Sequence, residues 1–405
     1  MLISAALSFI NVQITNLSIS PILPHIAQDL GINIGVATNF MSAFIFSGSF
    51  VLLLIGGVIC DRYGIFTALI IGLLCAVVPS ALMPWIGKNY TGVFYARLVQ
   101  GLSPGFIFPA MGAIIAIWFP LREKGLATGL MSAAVAAGSC AGTMGGPIVF
   151  KMVDTWQQMS AWLSIVGWID LAFIFLLLML PKPQPPTQQV EAPDEADDNV
   201  LKLALFAPLT VLGVLVTFMA AWDFQCLYGL TPTFLSADIP TGAGYGPLVS
   251  GYLMISVTVV SGILGPMVCG LLVDKVFNGN TKQVISLGFI LMCVSLYLMK
   301  FPFVHGSVPL ISICLLLAGF GIQFVMPAIY IFIAKSYVHQ IVGKMTGLWQ
   351  GIGSFGGSLG LYLGGLSLRI TGNYNMAFTI ISLVALVGLI LSIFMSRQKT
   401  LVVQK

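Results

Sequence analysis

The second half of this chain repeats the first. Gly101, Pro109 and Ala110 recur as Gly319, Pro327 and Ala328, and Thr128-Gly129-Leu130 recurs as Thr346-Gly347-Leu348, all at an offset of 218 residues. The same shift carries Gly138, Gly142 and Gly146 onto Gly356, Gly360 and Gly364. A second match, Gly57-x-x-x-Asp61-Arg62 against Gly270-x-x-x-Asp274-Lys275, runs at an offset of 213. Both copies are almost wholly apolar. The chain is 58% hydrophobic and 7% charged, against about 25% charged in a soluble domain. Two apolar copies of this size imply a membrane protein built by duplication, with any substrate held at the seam between halves.

Apolar runs fall near 3–24, 36–59, 65–86, 92–118, 126–149, 159–180, 203–228, 247–272, 283–302, 308–334, 343–368 and 374–396. Each approaches or exceeds the ~20 residues needed to cross a bilayer as a helix. The expected fold is all-α and integral to the membrane, with twelve transmembrane helices in two pseudo-symmetric six-helix bundles. Residues 1–180 form the first bundle and 203–405 the second. A hydrophilic linker at 181–202 joins them, Pro-rich from Pro181 and then acidic through Glu191, Asp194, Glu195, Asp197 and Asp198. Such a composition predicts a flexible bridge.

Loop charge sets the expected orientation. With both termini cytoplasmic, the inside loops hold Arg62, Arg122, Lys124, Lys182, Lys202, Lys275, Lys282, Lys335, Lys344, Arg397, Lys399 and Lys405. The outside loops hold only Lys88, Lys151, Lys300 and Arg369, which satisfies the positive-inside rule. The first run has no basic n-region and carries Asn11, Gln13 and Asn16, so it reads as a span and not as a cleaved signal. The seven cysteines lie in or beside spans with no metal-type C-x-x-C pair, and His25, His305 and His339 are not spaced as ligands. No metal, cofactor or nucleic-acid site is expected, and no nucleophile elbow or phosphate loop marks an enzyme.

Gly57-Val-Ile-Cys-Asp61-Arg62-Tyr-Gly64 resembles the loop signature between helices 2 and 3 of the major facilitator superfamily. Gly270-Leu-Leu-Val-Asp274-Lys275 is its weaker echo, and Arg97-Leu-Val-Gln100-Gly101 resembles that superfamily's helix-4 motif. The resemblance implies gating roles for Asp61, Arg62, Asp274 and Lys275. Asp61 would face the N-terminus of helix 11, and Asp274 that of helix 5, where the partial positive charge attracts a carboxylate. It also implies that helices 5 and 11 cross to the opposite half, so their glycine faces would let the halves rock.

Polar residues inside the spans are the candidate site. Arg97 lies well inside helix 4, where an isolated cation is either paired or functional. It reads equally as a substrate-binding cation or as a hydrogen-bonded anchor between helices. Asp223 on helix 7 is the candidate proton-coupling group, and Asp170 on helix 6 reads as structural. Asn11 and Gln13 align with Asp223 and Gln225 at an offset of 212, and Gln13, Asn16 and Ser20 share one helical face. Asn11, Gln13, Asn16 and Gln225 are therefore expected to contact substrate, with Gln323, Tyr330, Trp349 and Gln350 as further candidates.

The stretch Trp118-Phe-Pro120-Leu-Arg122-Glu-Lys124-Gly125, with Arg97 and Gly101 upstream, is similar to the organic anion:cation symporters and the oxalate/formate exchangers. That similarity implies a carrier of small carboxylates, a small organic anion, in the cell membrane; the single cavity Arg97 suits a monocarboxylate, Asp223 suggests proton coupling, and a monomer is expected. Gly146-Pro147 and the aromatic content point instead to a proton-driven exporter of amphipathic compounds. A carboxylate exchanger, a transport-dead receptor and a membrane enzyme complete the alternatives.

Overall fold

A computed structural model describes residues 2–119, 124–153, 155–179, 204–337 and 339–395. The linker 181–202, Arg122, the Lys124 side chain and the C-terminal basic residues lie outside the described residues. Helices account for every regular element among the described residues. In order they are α1 (Leu2–Leu17), α2 (Asn39–Leu54), α3 (Ile65–Ile86), α4 (Tyr90–Trp118), α5 (Lys124–Cys140, then Gly146–Val153) and α6 (Trp156–Leu163 with Ile165–Met179). The second series is α7 (Pro208–Ser236), α8 (Gly246–Leu253, then Gly262–Leu271), α9 (Thr281–Leu298), α10 (Val308–Ser336), α11 (His339–Thr371) and α12 (Asn375–Phe394).

Ten of the described segments are long and apolar enough to cross a bilayer. The shorter apolar α1 and the glycine-rich α11 supply the remaining crossings of the expected twelve. The protein is thus a multi-pass, all-α membrane protein. Local chemistry explains the helix ends. The Asn89 side chain accepts from the Gly92 N–H to cap α4, and prolines open α7, α8 and α10 where a missing N–H costs nothing. Gly64, at φ +90°, breaks the chain between the Gly56–Tyr63 segment and α3.

Helices α5 and α8 each pass through a π-helical stretch, at Ala141–Gly145 and Ser256–Ser261. These two stretches sit at the contact between the halves. A further cross-half contact joins α2 and the Ile34–Ala37 turn before it to α11. Helices 5 and 11 therefore do cross, as the resemblance implies, but not on their glycine stripes. Gly138, Gly142 and Gly146 pack on Ile10, Gln13 and Ser18 of α1 and the turn after it. Gly356, Gly360 and Gly364 pack on Phe218, Trp222 and Leu230 of α7. The stripes cement each bundle internally, where close backbone approach replaces the missing hydrophobic drive between helices in lipid.

That packing is testable. A Cβ on Gly356 would overlap the Phe218 carbonyl, whereas Gly270 faces open space. Gly356→Val is expected to lower stability by about 1–3 kcal/mol, read as thermal unfolding in a fixed detergent. Gly270→Ala should leave it unchanged.

Candidate functional site

Contacts between the halves begin at the end remote from Asp61 and Asp274 and run along α2 and α11 as far as Leu53 on Gly351. The Ser20 hydroxyl donates to the Gly229 carbonyl at 2.6 Å and reaches the Tyr228 carbonyl at 3.2 Å, while Thr233 donates to the Ser20 carbonyl at 2.9 Å. On the other flank Ser42 donates to the Ser358 carbonyl at 2.9 Å, and Ser358 donates to the Ser42 carbonyl at 3.1 Å. Nearby, Gly35 and Gly365 touch so closely that a Cβ on Gly365 would overlap the Thr38 hydroxyl. Gly251 of α8 rests on Thr143 and Met144 of α5. At the opposite end Asp61, Arg62, Asp274 and Lys275 are exposed, and neither aspartate has a hydrogen bond or ion pair among the described residues. The seam is shut at one end and unlatched at the other.

Of the described charged residues only Arg97, Asp170 and Asp223 are buried. None of the three points into the seam. Arg97, 2% exposed, donates through Nε to the Phe40 carbonyl at 3.1 Å and through Nη1 to the Thr15 carbonyl at 2.7 Å. Nη1 also reaches Gln100 Oε1 at 3.0 Å, and Nη2 donates to the Asn16 carbonyl at 3.2 Å. The guanidinium lies 4.6 Å from the centre of the Phe44 ring. Thr15 and Asn16 belong to the last turn of α1, whose carbonyls have no helical partners, so the cation caps that helix at its negative end. Of the two readings of Arg97, the geometry matches the anchor.

Asp170 accepts from Ser8 at 2.6 Å and Ser4 at 3.3 Å, which joins α6 to α1 as its structural reading requires. Asp223 departs from expectation. It shares a stripe of α7 with Ala220, Leu227 and Phe234, and Phe234 packs on Tyr374 and Phe378 next to and within α12. The side of α7 that meets α11 carries Phe218, Ala221, Trp222 and Gln225 instead. Asp223 therefore faces the interior of the second bundle, and neither carboxyl oxygen has a partner among the described residues. Asn11, its pseudo-symmetric mate, likewise turns inward. Its side chain meets Gly167 of α6, leaving Nδ2 without a partner among the described residues. The mirrored pair is real, but it belongs to the bundle interiors.

The remaining candidates divide in the same way. Gln13 donates to Ser139 of α5 at 2.8 Å. Gln225 packs its stem on Gly357, the duplicate of Ser139, so no hydroxyl holds its amide and it has no hydrogen bond among the described residues. The Asn16 amide is also free of such bonds and lies on the face of α1 that carries Gln13 and leads to Ser20 in the following turn. Gln323 packs on Gly265 of α8, and Tyr330, two turns on, is 46% exposed. Trp349 is not at the seam. It is fully buried, wedged over Gly213 between Phe332 and Tyr337. Gln350 holds a buried amide nitrogen without a partner among the described residues.

Two aromatic pairs were not singled out by sequence. Phe9, on the Gln13–Asn16–Ser20 face, meets Phe108 of α4 at 4.9 Å, and Phe108 is 40% exposed. Phe224 meets Tyr228 at 4.7 Å on α7, beside the Ser20 contact. Aromatics are too common in bundles for sequence to mark these. The i, i+4 spacing of Phe9 and Gln13 was the available signal.

Among the described residues the buried charges therefore lie inside the bundles, and the residues that join the halves are hydroxyls, glycines and apolar or aromatic side chains. The family model of the Major Facilitator Superfamily matches residues 1–298 and 213–404. Among similar proteins, "Multidrug resistance protein 1" of Bacillus subtilis (strain 168) is 23% identical over 92% of this chain and 90% of its own length. "Quinolone resistance protein NorA" of Staphylococcus aureus is 25% identical over 85% and 83%, respectively. "Uncharacterized transporter YybO" of B. subtilis (strain 168) is 25% identical over 84% and 80%. The duplicated apolar halves, the crossed α2–α11 and α5–α8 contacts and the family match agree: the chain belongs to the Major Facilitator Superfamily and is a membrane transporter, not an enzyme.

Proposed function

We propose that this transporter exports amphipathic organic compounds in exchange for protons, as a monomer in the cell membrane. One observation carries the reading: Arg97, the sole buried cation among the described residues, is spent on backbone carbonyls and not on the seam. A small carboxylate at the midplane would find no described cation there, and desolvating it unpaired is costly. An aromatic and amide surface suits a planar or lipophilic solute instead. The multidrug and quinolone resistance relatives support the same direction.

With both termini cytoplasmic, the sealed end is external and the Asp61–Asp274 end opens to the cytoplasm. The aspartates then latch onto the α11 and α5 N-termini in the opposite, outward-open state. Asp223 is the coupling group. It is fully buried on α7 with no hydrogen bond among the described residues, so α7 must move to expose it to either side.

Everted membrane vesicles test this directly. An acid lumen should drive accumulation of a lipophilic fluorescent cation, and Asp223→Asn should abolish gradient-driven accumulation while dye binding persists. Gradient-driven movement of labelled small carboxylates, with no dye transport, would instead establish the organic-anion symporter. Carboxylate counterflow without gradient dependence would mark an exchanger.

A further inference from the structure

We infer that the first bundle holds a halide-sized anion beside Arg97. A small, partly open cavity lies within this bundle, lined by residues of α1, α3, α4 and α6 together with Ile26 and Phe40. Arg97, Gln100, Ser80, Thr15, Ser18 and Ser160 supply its polar wall. An arginine in a protein does not give up its charge. Here no described carboxylate pairs with it, and its contacts are three carbonyls, one amide and one ring. The end of α1 offsets only about half an elementary charge.

The donors for an anion are at hand. Four of the five guanidinium N–H groups are used, which leaves one on Nη2. Gln100 donates one Nε2 N–H to Ser80 at 2.9 Å and accepts from Arg97 through Oε1, which leaves its second Nε2 N–H without a bond among the described residues. Ser80 in turn donates to the Ala76 carbonyl. Ser18, 5% exposed, lines the cavity with a hydroxyl that has no hydrogen bond among the described residues, and Thr15 and Ser160 are equally unengaged. One charged N–H, one amide N–H and three hydroxyls around a small cavity make a site for a compact, weakly basic monoanion such as chloride. Water would satisfy the hydroxyls but leave the charge unopposed.

The whole protein in detergent or lipid nanodiscs provides the test. Chloride should raise the unfolding temperature by about 2–4 °C over gluconate at equal ionic strength. Bromide should give the same rise and an anomalous scattering peak between Arg97 and Ser18. Ser18→Asp supplies the negative charge in place, so its stability should no longer depend on halide. Ser160→Ala, which removes one donor and keeps the packing, should weaken the halide effect several-fold. Halide-independent unfolding with no bromide peak would overturn the site and leave a water-filled cavity. A stability effect with the peak elsewhere would overturn its location.

Discussion

Gly365→Leu is expected to cut transport at least tenfold without unfolding the protein. Gly365 has no room for a side chain, because a Cβ there overlaps the Thr38 hydroxyl and approaches the Gly35 carbonyl across the seam. Overpacking costs about 1–3 kcal/mol, and each 1.4 kcal/mol shifts a two-state equilibrium about tenfold. The cost falls only on the state in which this end is sealed, so the population moves towards the state open there. Single-cysteine labelling near Ser42 should rise as transport falls. Gly343→Ala, on the same helix but facing open space, should change neither. Normal transport in Gly365→Leu would mean that the seal is not part of the cycle.

Arg97→Ala is the second large effect, and it should appear in stability before it appears in transport. Removing the guanidinium strips the donors from the Thr15, Asn16 and Phe40 carbonyls and from Gln100. A buried polar group left unpaired costs about 1–3 kcal/mol, and two of these carbonyls sit at an uncapped helix end. A combined loss of about 3 kcal/mol or more is expected in thermal unfolding. Arg97→Lys should recover part of it, since one ammonium cannot span α1, α2 and Gln100 together. An Arg97→Ala protein of wild-type stability with no substrate binding would restore the substrate-cation role.

Much of this architecture was legible in the chain. The constant offset between Gly101 and Gly319 announced duplication, and long apolar runs announced helices, because a bilayer admits few other solutions. The pairing of Asn11 with Asp223 and of Gln13 with Gln225 was also visible and holds in three dimensions. Their direction was not. Asn11 and Gln13 are two residues apart, about 200° around a helix, so one turns to α6 and the other to α5. Which of those sides is the seam depends on where neighbouring helices pack.

The same limit governed the glycine stripes and the seal. Small residues show that something approaches closely, not what, and the stripes of α5 and α11 proved to meet their own bundles. Ser42 and Ser358 gave no signal, because a serine in an apolar helix usually bonds its own backbone, as Ser49 does to the Ile45 carbonyl. Sequence alone determined the membrane class, the duplication and the set of intramembrane polar residues, since hydrophobicity and repeats are one-dimensional properties. Tertiary structure alone decided that Arg97 caps α1, that Asp223 is sheltered in its bundle and that the halves close at one end. Each of those depends on the rotation of one helix against another, a few tens of degrees that no spacing in the chain records.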